Sequence, residues 1–314
     1  MLSRFTLLVQ ARRSPARVGQ IALGAIWCIN GLLKLQPYFF SHFVSGVIDP
    51  SAAGQPGVVR DPITWVGGVI QPHQTMFVVL AVLTEVSIGV GLLVPRTVKV
   101  ALLVSFLWAL NVWLTGEGLG FLFTGATPDP LTGIFGTAPM YIVAGLLVWP
   151  DSGDARAGFG LLGDRGARLV WAGLWLGAAA LWLFPANAAP DAVSAAFAAA
   201  PAGAGWLSSL HSSVADMFGG SGVTVAVVLA VISAEIALSV LSGRGARIAL
   251  VASMVVSLAF WLLAEGLGGI FTGKATDVGT GPLMILIAAL LLPLASDSAL
   301  ASVAPRKGWR VLGV

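Results

Sequence analysis

Apolar and polar residues follow one another along the chain in long blocks. Eight blocks are apolar over close to the length that crosses a hydrocarbon layer as a helix, which is about 20 residues. We therefore predict membrane helices at about 18–35, 75–94, 98–114, 133–149, 169–184, 223–241, 248–263 and 281–294. Polar residues collect between these blocks. The pattern predicts an all-α integral membrane protein with about eight transmembrane helices.

A glycine-rich motif occurs twice, at the ends of the third and seventh predicted helices. The copies read WLTGEGLGFLFTG from Trp113 and WLLAEGLGGIFTG from Trp261, which gives a repeat offset of 148 along the chain. A repeat this long in an apolar chain implies duplication of a unit of several helices. An even number of helices in each unit gives both units the same polarity. We predict two homologous parallel four-helix bundles, 1–150 and 167–314, joined by a cytoplasmic linker at 151–166.

A long segment follows the first helix of each half, at 36–74 and at 185–222. Apolar residues recur in both segments at helical spacing, and each segment contains a tryptophan, Trp65 or Trp206. Helices with one apolar face and an aromatic anchor are typical of the membrane interface. We predict short interfacial helices on the outer face.

Composition agrees with a membrane protein, since 57% of residues are hydrophobic and only 10% are charged. The net charge of +3 does not indicate nucleic acid, because the basic residues are sorted by side of the membrane. In the eight-helix arrangement, 14 of the 17 lysines and arginines fall on the side of the termini. Cytoplasmic loops hold such an excess. We therefore predict an inner (plasma) membrane protein with cytoplasmic termini, an extracytoplasmic repeated motif, and the lipid bilayer rather than nucleic acid as a partner.

The repeated motif is a candidate site on the outer face. Its glycines permit a turn that returns towards the membrane, and the repeat offset also matches an aspartate and a threonine in each copy. Asp129 with Thr132, and Asp277 with Thr280, are predicted to cap the next helix. The motif carboxylates are either solvated or functional. The candidate residues of the motif are Glu117, Gly118, Gly120, Asp129, Glu265, Gly266, Gly268 and Asp277.

Two further carboxylates, Glu85 and Glu235, lie inside predicted membrane helices. An ionised carboxylate near the midplane is costly, so each must be protonated, hydrogen-bonded or paired. Asn30 and Lys34 on the first helix are the predicted partners of Glu85, whereas Glu235 has no matching lysine. We predict these four residues as a candidate catalytic set for proton transfer or ligand binding. The alternative is a protonated carboxyl group that ties a four-helix core together.

Several of these residues lie in segments that resemble a known family. Asn30-Gly31-Leu32-Leu33-Lys34, together with Thr84-Glu85-Val86 and Val94-Pro95-Arg96, is similar to the DoxX-like superfamily of four-helix membrane proteins. The second half is similar but lacks the segment that contains the lysine. Some members of the family are implicated as the membrane subunit of thiosulfate:quinone oxidoreductase. The resemblance implies a redox-associated subunit that is linked to a quinone and has membrane or extracytoplasmic redox partners.

Three functions remain open from the sequence: the quinone-linked redox subunit, a module that binds or transports a small solute or cation, and a structural scaffold. Whether the chain is an enzyme stays open, because the sequence contains no haem or iron–sulfur motif. A cation site on the acidic outer face is a further hypothesis. Its candidate metal ligands are Glu117, Glu265, His42, His73 and His211, although they lack short ligand spacing.

Overall fold

The computed structural model describes residues 14–125, 129–130, 135–150 and 159–301, and helices are the only regular elements among them. The first half contains α1 Pro15–Leu33, α2 Phe39–Phe43, α3 Asp49–Ala52, α4 Gly57–Ile70, α5 Gln74–Leu93, α6 Val98–Thr115 and α7 Ala138–Leu147. The second half contains α8 Gly163–Trp182, α9 Ala192–Ala199, α10 Gly205–Phe218, α11 Gly222–Ser242, α12 Ala246–Leu263 and α13 Thr280–Ala301. A π-helical turn spans Val44–Ile48, and 3₁₀ turns span Gln71–His73, Gly118–Phe121 and Leu267–Thr272.

Five stretches among the described residues are long and apolar enough to cross a membrane. They are Pro15–Leu33, Gly57–Leu93, Val98–Thr115, Gly222–Ser242 and Ala246–Thr272. Shorter apolar helices occur at Ala138–Leu147 and Thr280–Ala295. The chain thus has the helices of a membrane protein. A helix lies at each of the eight predicted positions, but eight crossings in two bundles stay a prediction.

The order of helices repeats with the offset seen in the motif. Helices α1, α5 and α6 begin at 15, 74 and 98, and α8, α11 and α12 begin one repeat offset later, at 163, 222 and 246. In each half the first long helix packs against the second, α1 on α5 and α8 on α11. The halves also touch, because α13 contacts α1 and α7. Their main hydrophobic core is shared, with Leu23 and Trp27 from one half and Trp171 and Leu283 from the other.

Two predicted helix starts differ from the structure by five residues or more. Helix α7 begins at Ala138 rather than near Gly133, and residues 135–137 before it are not helical. Gly133 itself lies outside the described residues. Helix α8 begins at Gly163, so the last residues of the predicted linker are helical, while 151–158 lie outside the described residues. Charged Asp164, Arg165 and Arg168 in the first turns of α8 made this start hard to recognise as part of an apolar helix.

The two long segments form short helices with small cores of their own. In the first half Phe39, Phe43 and Ile63 are buried in one cluster, and Val193 and Phe197 belong to the corresponding cluster in the second half. Trp65 and Trp206 are 70% and 56% exposed, as expected of residues that face a membrane interface or solvent. Each cluster covers one end of its half, beside the repeated motif. The location of these helices in the membrane interface stays a prediction.

Candidate functional site

A cavity of about 80 Å³ lies among α1, α5, α6 and α7. It extends from Glu85 on α5 to the residues that follow α6, at Gly116 and Glu117. Aromatic and aliphatic side chains form much of the wall, including Trp27, Phe43, Phe77, Ala81, Trp108 and Val112. The polar groups in the wall come from Asn30, Lys34, Glu85, Asn111, Glu117, Thr137, Tyr141, Thr276 and Asp277.

A buried ion pair occupies one side of this cavity. The Lys34 ammonium lies 2.8 Å from Glu85 Oε2, and the side chains are only 8% and 2% exposed. Lys34 Nζ also donates to the carbonyl oxygen of Thr276 at 2.6 Å, while Trp108 Nε1 donates to Glu85 Oε1 at 2.9 Å. Both carboxylate oxygens therefore have a donor, which compensates for the lost hydration of a buried carboxylate.

Asn30 links the two halves of the chain at the same cavity. Its Nδ2 donates to the Tyr141 hydroxyl at 2.5 Å, and its Oδ1 accepts from the backbone N–H of Val278 at 3.2 Å. Thr276 and Val278 belong to the loop that precedes α13. The polar wall of the first half is thus completed by a loop of the second half.

One donor in the wall of the cavity has no protein partner among the described residues. Trp27 is 2% exposed, its ring packs against Tyr141 with a centroid distance of 4.4 Å, and its Nε1 forms no hydrogen bond with that part of the chain. A buried N–H without an acceptor costs about 1–3 kcal/mol. Trp27 lines the same cavity as the ion pair, so its indole N–H is suited to a hydrogen-bond acceptor that enters the cavity, either water or a solute.

The motif glutamates bind the first amides of the last helix in each half. Glu117 Oε1 accepts from the backbone N–H groups of Thr137 and Ala138 at 3.2 and 3.0 Å. Glu265 Oε2 accepts from Thr280 and Gly281 at 2.7 and 3.3 Å. A side-chain oxygen at a helix start accepts from backbone amides that have no partner within the helix. Each glutamate thus fastens the end of one helix to the start of the next.

This arrangement corrects the predicted alignment of the two loops. Glu117 and Glu265 keep the repeat offset of 148, but the offset between the threonines that they bind, Thr137 and Thr280, is only 143. The loop of the first half is therefore longer by five, and Thr280 corresponds to Thr137 rather than to Thr132. The hydroxyl groups of Thr137 and Thr280 lie 3.0 Å apart, so equivalent residues of the two halves meet.

The predicted cap of α13 by Asp277 is wrong. Asp277 accepts from the Gly279 N–H and from the Thr276 hydroxyl, both at 2.8 Å, and so shapes a turn before α13 rather than capping the helix. Asp129 lies elsewhere, beside Trp182 and Asn187. Thr132 lies outside the described residues.

Glu117 instead has Asp277 of the other half as its charged neighbour. Burial raises the pKa of Glu117 to about 8, and the negative charge of Asp277 adds to the rise. The N–H groups of Ala138 and Thr137 lower the pKa, but by less than burial raises it. Most Glu117 carboxyl groups therefore keep their proton at neutral pH, which removes one negative charge from this end of the cavity.

Glu235 is not part of the cavity, which corrects its predicted place in the candidate set. It is exposed on the surface of α11, near Ser239 and Arg244. Helices α5 and α11 begin one repeat offset apart, so the residue that corresponds to Glu85 is the buried Ser233. Glu235 is two residues further on, a rotation of about 200° around a helix with 3.6 residues per turn. It therefore lies on the opposite face.

The motif glycines have a packing role. Gly118 and Gly266 have φ values of +51° and +54°, where an added Cβ would lie 2.2 Å from the Ser51 carbonyl oxygen and 1.7 Å from that of Pro201. Cβ atoms at Gly120 and Gly268 would meet the backbone of Phe135 and Val278. These four glycines let neighbouring backbone segments lie against the motif.

The predicted metal ligands do not form a cluster. Among the described residues, no group of three or more His, Cys, Asp or Glu side chains is placed to hold a metal ion. His42 is exposed and stacks on Tyr38, and His73 is exposed. His211 is buried, with Nε2 2.9 Å from the Leu262 carbonyl oxygen. Glu117 and Glu265 bind helix amides, so the structure gives the metal hypothesis no support.

The sequence analysis predicted some of the residues that line the cavity and missed the others. Asn30, Lys34 and Glu85 were predicted to lie together, and they do line one cavity. Trp27, Trp108, Tyr141 and the loop at Thr276 were missed. Tyr141 left a signal, because it is one of two tyrosines in the chain and lies in an apolar helix. No feature of the sequence indicated that the loop at Thr276 contacts this cavity.

In comparisons with known proteins, no family model, curated protein or solved structure matches this chain.

Proposed function

We propose that this membrane protein binds a compact polar solute in the cavity beside Lys34 and Glu85. The observation that carries the proposal is the buried Trp27 N–H, which has no partner among the described residues, on a side chain that lines the same cavity as a buried ion pair. A solute with an acceptor atom would satisfy Trp27, and its donor groups would meet the oxygens of Glu85 and Asp277, which line the same cavity. The cavity extends to Glu117 at the end of α6, so we propose entry from that end.

The size of the cavity favours a solute of few atoms. It measures about 80 Å³. An engineered apolar cavity that holds benzene measures about 150 Å³. A substituted quinone ring is larger than benzene and would require side chains to move. A compact solute, such as a small amide or alcohol, would not.

A quinone-linked redox subunit is the second candidate, and the DoxX-like resemblance is its main warrant. The aromatic wall of Trp27, Trp108 and Phe77 beside Glu85 and Lys34 supports it, since a quinone head group needs apolar contacts, hydrogen-bond donors and a proton source. In this candidate function a partner redox protein supplies two electrons, two protons enter from the side of Glu85, and the quinone becomes a quinol. Its test is the presence of bound quinone.

Extraction of small molecules from protein purified in native lipid nanodiscs tests both candidates. We expect a polar solute in about equimolar amount with the parent chain, and its loss from an Ala81→Leu variant. Ala81 is 1% exposed and lines the cavity, so leucine would fill much of the space. Glu235→Gln is the matched control, because it removes a carboxylate outside the cavity, and it should retain the solute.

The two candidates give different results in the same sample. Equimolar quinone that disappears in Glu85→Gln but stays in Glu235→Gln would replace the solute proposal by the redox subunit. If the parent protein contained neither a polar solute nor a quinone, a structural scaffold would remain, in which the ion pair serves only to hold helices together.

We propose that two DoxX-like four-helix bundles cross the inner membrane in parallel, with both termini cytoplasmic. Arg17 donates to the carbonyl oxygens of Leu92 and Leu93, and Arg168 donates to those of Val240 and Leu294. These contacts bring helix starts and helix ends to the same side in each half, as alternating crossings require. The basic residues on that side support its cytoplasmic location.

Cysteine labelling tests this orientation. In a Cys28→Ser background, cysteines introduced at Arg60 and Lys274 should react with an impermeant maleimide added outside intact cells. A cysteine at Asp154 should react only after the membrane is opened. Labelling of position 60 or 274 only from the cytoplasmic side would reverse the proposed orientation.

A further inference from the structure

The second half contains a cavity at the place equivalent to the first. It measures about 70 Å³ and lies among α8, α11, α12 and α13. Trp175 and Glu265 line it, and they are the repeat counterparts of Trp27 and Glu117 in the first cavity. Pro130 from the loop of the first half lines it as well, just as Thr276 from the second half lines the first cavity. The two cavities are thus counterparts.

The charged and amide groups of the first cavity are replaced in the second. Asn30, Lys34 and Glu85 correspond to Ala178, Trp182 and Ser233. Tyr141 corresponds to Met284, because equivalent residues after the loops that precede α7 and α13 are 143 positions apart. All four replacements line the second cavity. Its wall is therefore apolar, aromatic and sulfur-bearing, except for two serine hydroxyls, the threonine at the start of α13 and Glu265.

One buried donor in this apolar wall has no partner among the described residues. Trp175 is 5% exposed, and its Nε1 has no hydrogen-bond partner among the described residues. Ser233 lines the cavity and is 3% exposed. Glu265, the carboxylate of the wall, uses one oxygen for the amides of Thr280 and Gly281. A buried indole N–H in an apolar cavity favours a ligand that brings an acceptor.

We propose that the second cavity binds a compact apolar molecule with a carbonyl-type oxygen, which accepts from Trp175 Nε1 and from Ser233. Trp182, Met140, Phe260 and Met284 would contact its apolar part. Charged solutes are disfavoured, because Trp182 and Ser233 stand where the first cavity has its ion pair. The two halves would then bind different classes of ligand at equivalent places. This inference does not depend on the proposed function of the first cavity.

Acetone and isobutene are matched probes for this site, because isobutene has the same shape with a CH₂ group in place of the oxygen. In full-length protein labelled with ¹⁵N at the tryptophan indoles, acetone should move the Trp175 Nε1–H resonance downfield in a saturable way. Isobutene should not produce this downfield shift. A Trp175→Phe variant identifies the resonance by its absence.

Two variants distinguish a specific hydrogen bond to acetone from a general effect of the probe on the protein. Ser233→Ala should weaken acetone binding about fivefold, the equivalent of one net hydrogen bond of about 1 kcal/mol. Trp27→Phe alters only the first cavity and should leave the Trp175 response unchanged, whatever the first cavity binds. Equal downfield shifts with isobutene, no saturable response to acetone, or an unchanged response in Ser233→Ala would each overturn the proposal.

Discussion

Replacement of Glu85 by glutamine is expected to lower the free energy of unfolding by about 3–5 kcal/mol, the usual cost of removing one member of a buried ion pair. Lys34 would keep its charge next to a neutral amide, although its side chain is only 8% exposed. Trp108 would still find an acceptor in the glutamine oxygen. The decrease in the free energy of unfolding therefore comes mainly from the unpaired Lys34 ammonium. Unfolding in mixed micelles, followed by tryptophan fluorescence, measures it.

A double variant and a matched control make this result specific. Lys34→Met combined with Glu85→Gln removes both charges and should recover much of the lost stability, because an apolar substitute of similar length is often tolerated. Glu235 is exposed on α11, so Glu235→Gln is the same chemical change outside the core. This control should stay within about 0.5 kcal/mol of the parent. Equal effects of Glu85→Gln and Glu235→Gln would contradict a buried pair.

Replacement of Gly266 by alanine is expected to destabilise the protein by more than about 4 kcal/mol or to prevent folding, an effect reserved for severe steric conflict. The new Cβ would lie 1.7 Å from the Pro201 carbonyl oxygen, so the segment before α10 would have to move. Gly118→Ala meets the Ser51 carbonyl oxygen at 2.2 Å in the first half and should act in the same way. Thermal unfolding in detergent measures both.

The same motif supplies controls that have the conformation without the contact. Gly125 and Gly273 have φ values of +78° and +74°, but an added Cβ at either meets nothing within 4 Å. Alanine there should cost only the strain of the left-handed region, about 1–2 kcal/mol. If Gly266→Ala and Gly273→Ala had equal effects, backbone strain alone would explain the glycines, and the close approach of the neighbouring segment would not matter.

The helices of this protein were predictable because their signal is local. The start of a helix follows from the composition of the consecutive residues that form it, and α5, α6, α11 and α12 begin within two residues of the predicted positions. The contact of Lys34 with Glu85 was also predictable. Glu85 lies inside an apolar helix and Lys34 directly follows the end of the helix that packs against it, so pairing relieves the cost of an isolated charge. For the helices and for the ion pair, the prediction follows from the polarity of individual residues in an apolar environment.

The loops before α7 and α13 show where this kind of inference stops. The identical residues of the repeat gave a single offset, and it placed Asp277 opposite Asp129. After the loops, equivalent residues of the two halves are 143 rather than 148 positions apart, because the first half has the longer loop between Glu117 and Thr137. A loop changes length at little energetic cost. Only the hydrogen bonds of Glu117 and Glu265 to their helix starts show where the correspondence resumes.

By itself, the sequence determined the helical, apolar character of the chain and the repeated order of its helices, and it predicted Lys34 as a partner of Glu85. Each of these follows from the polarity of a residue within its own helix. Only the tertiary structure decided that Glu235 faces away from the cavity, that Thr276 and Val278 of one half complete the cavity of the other, and that Trp27 and Trp175 line equivalent cavities without acceptors among the described residues. These features depend on helix rotation and on contacts between distant segments, whose energies are absent from any single stretch of the chain.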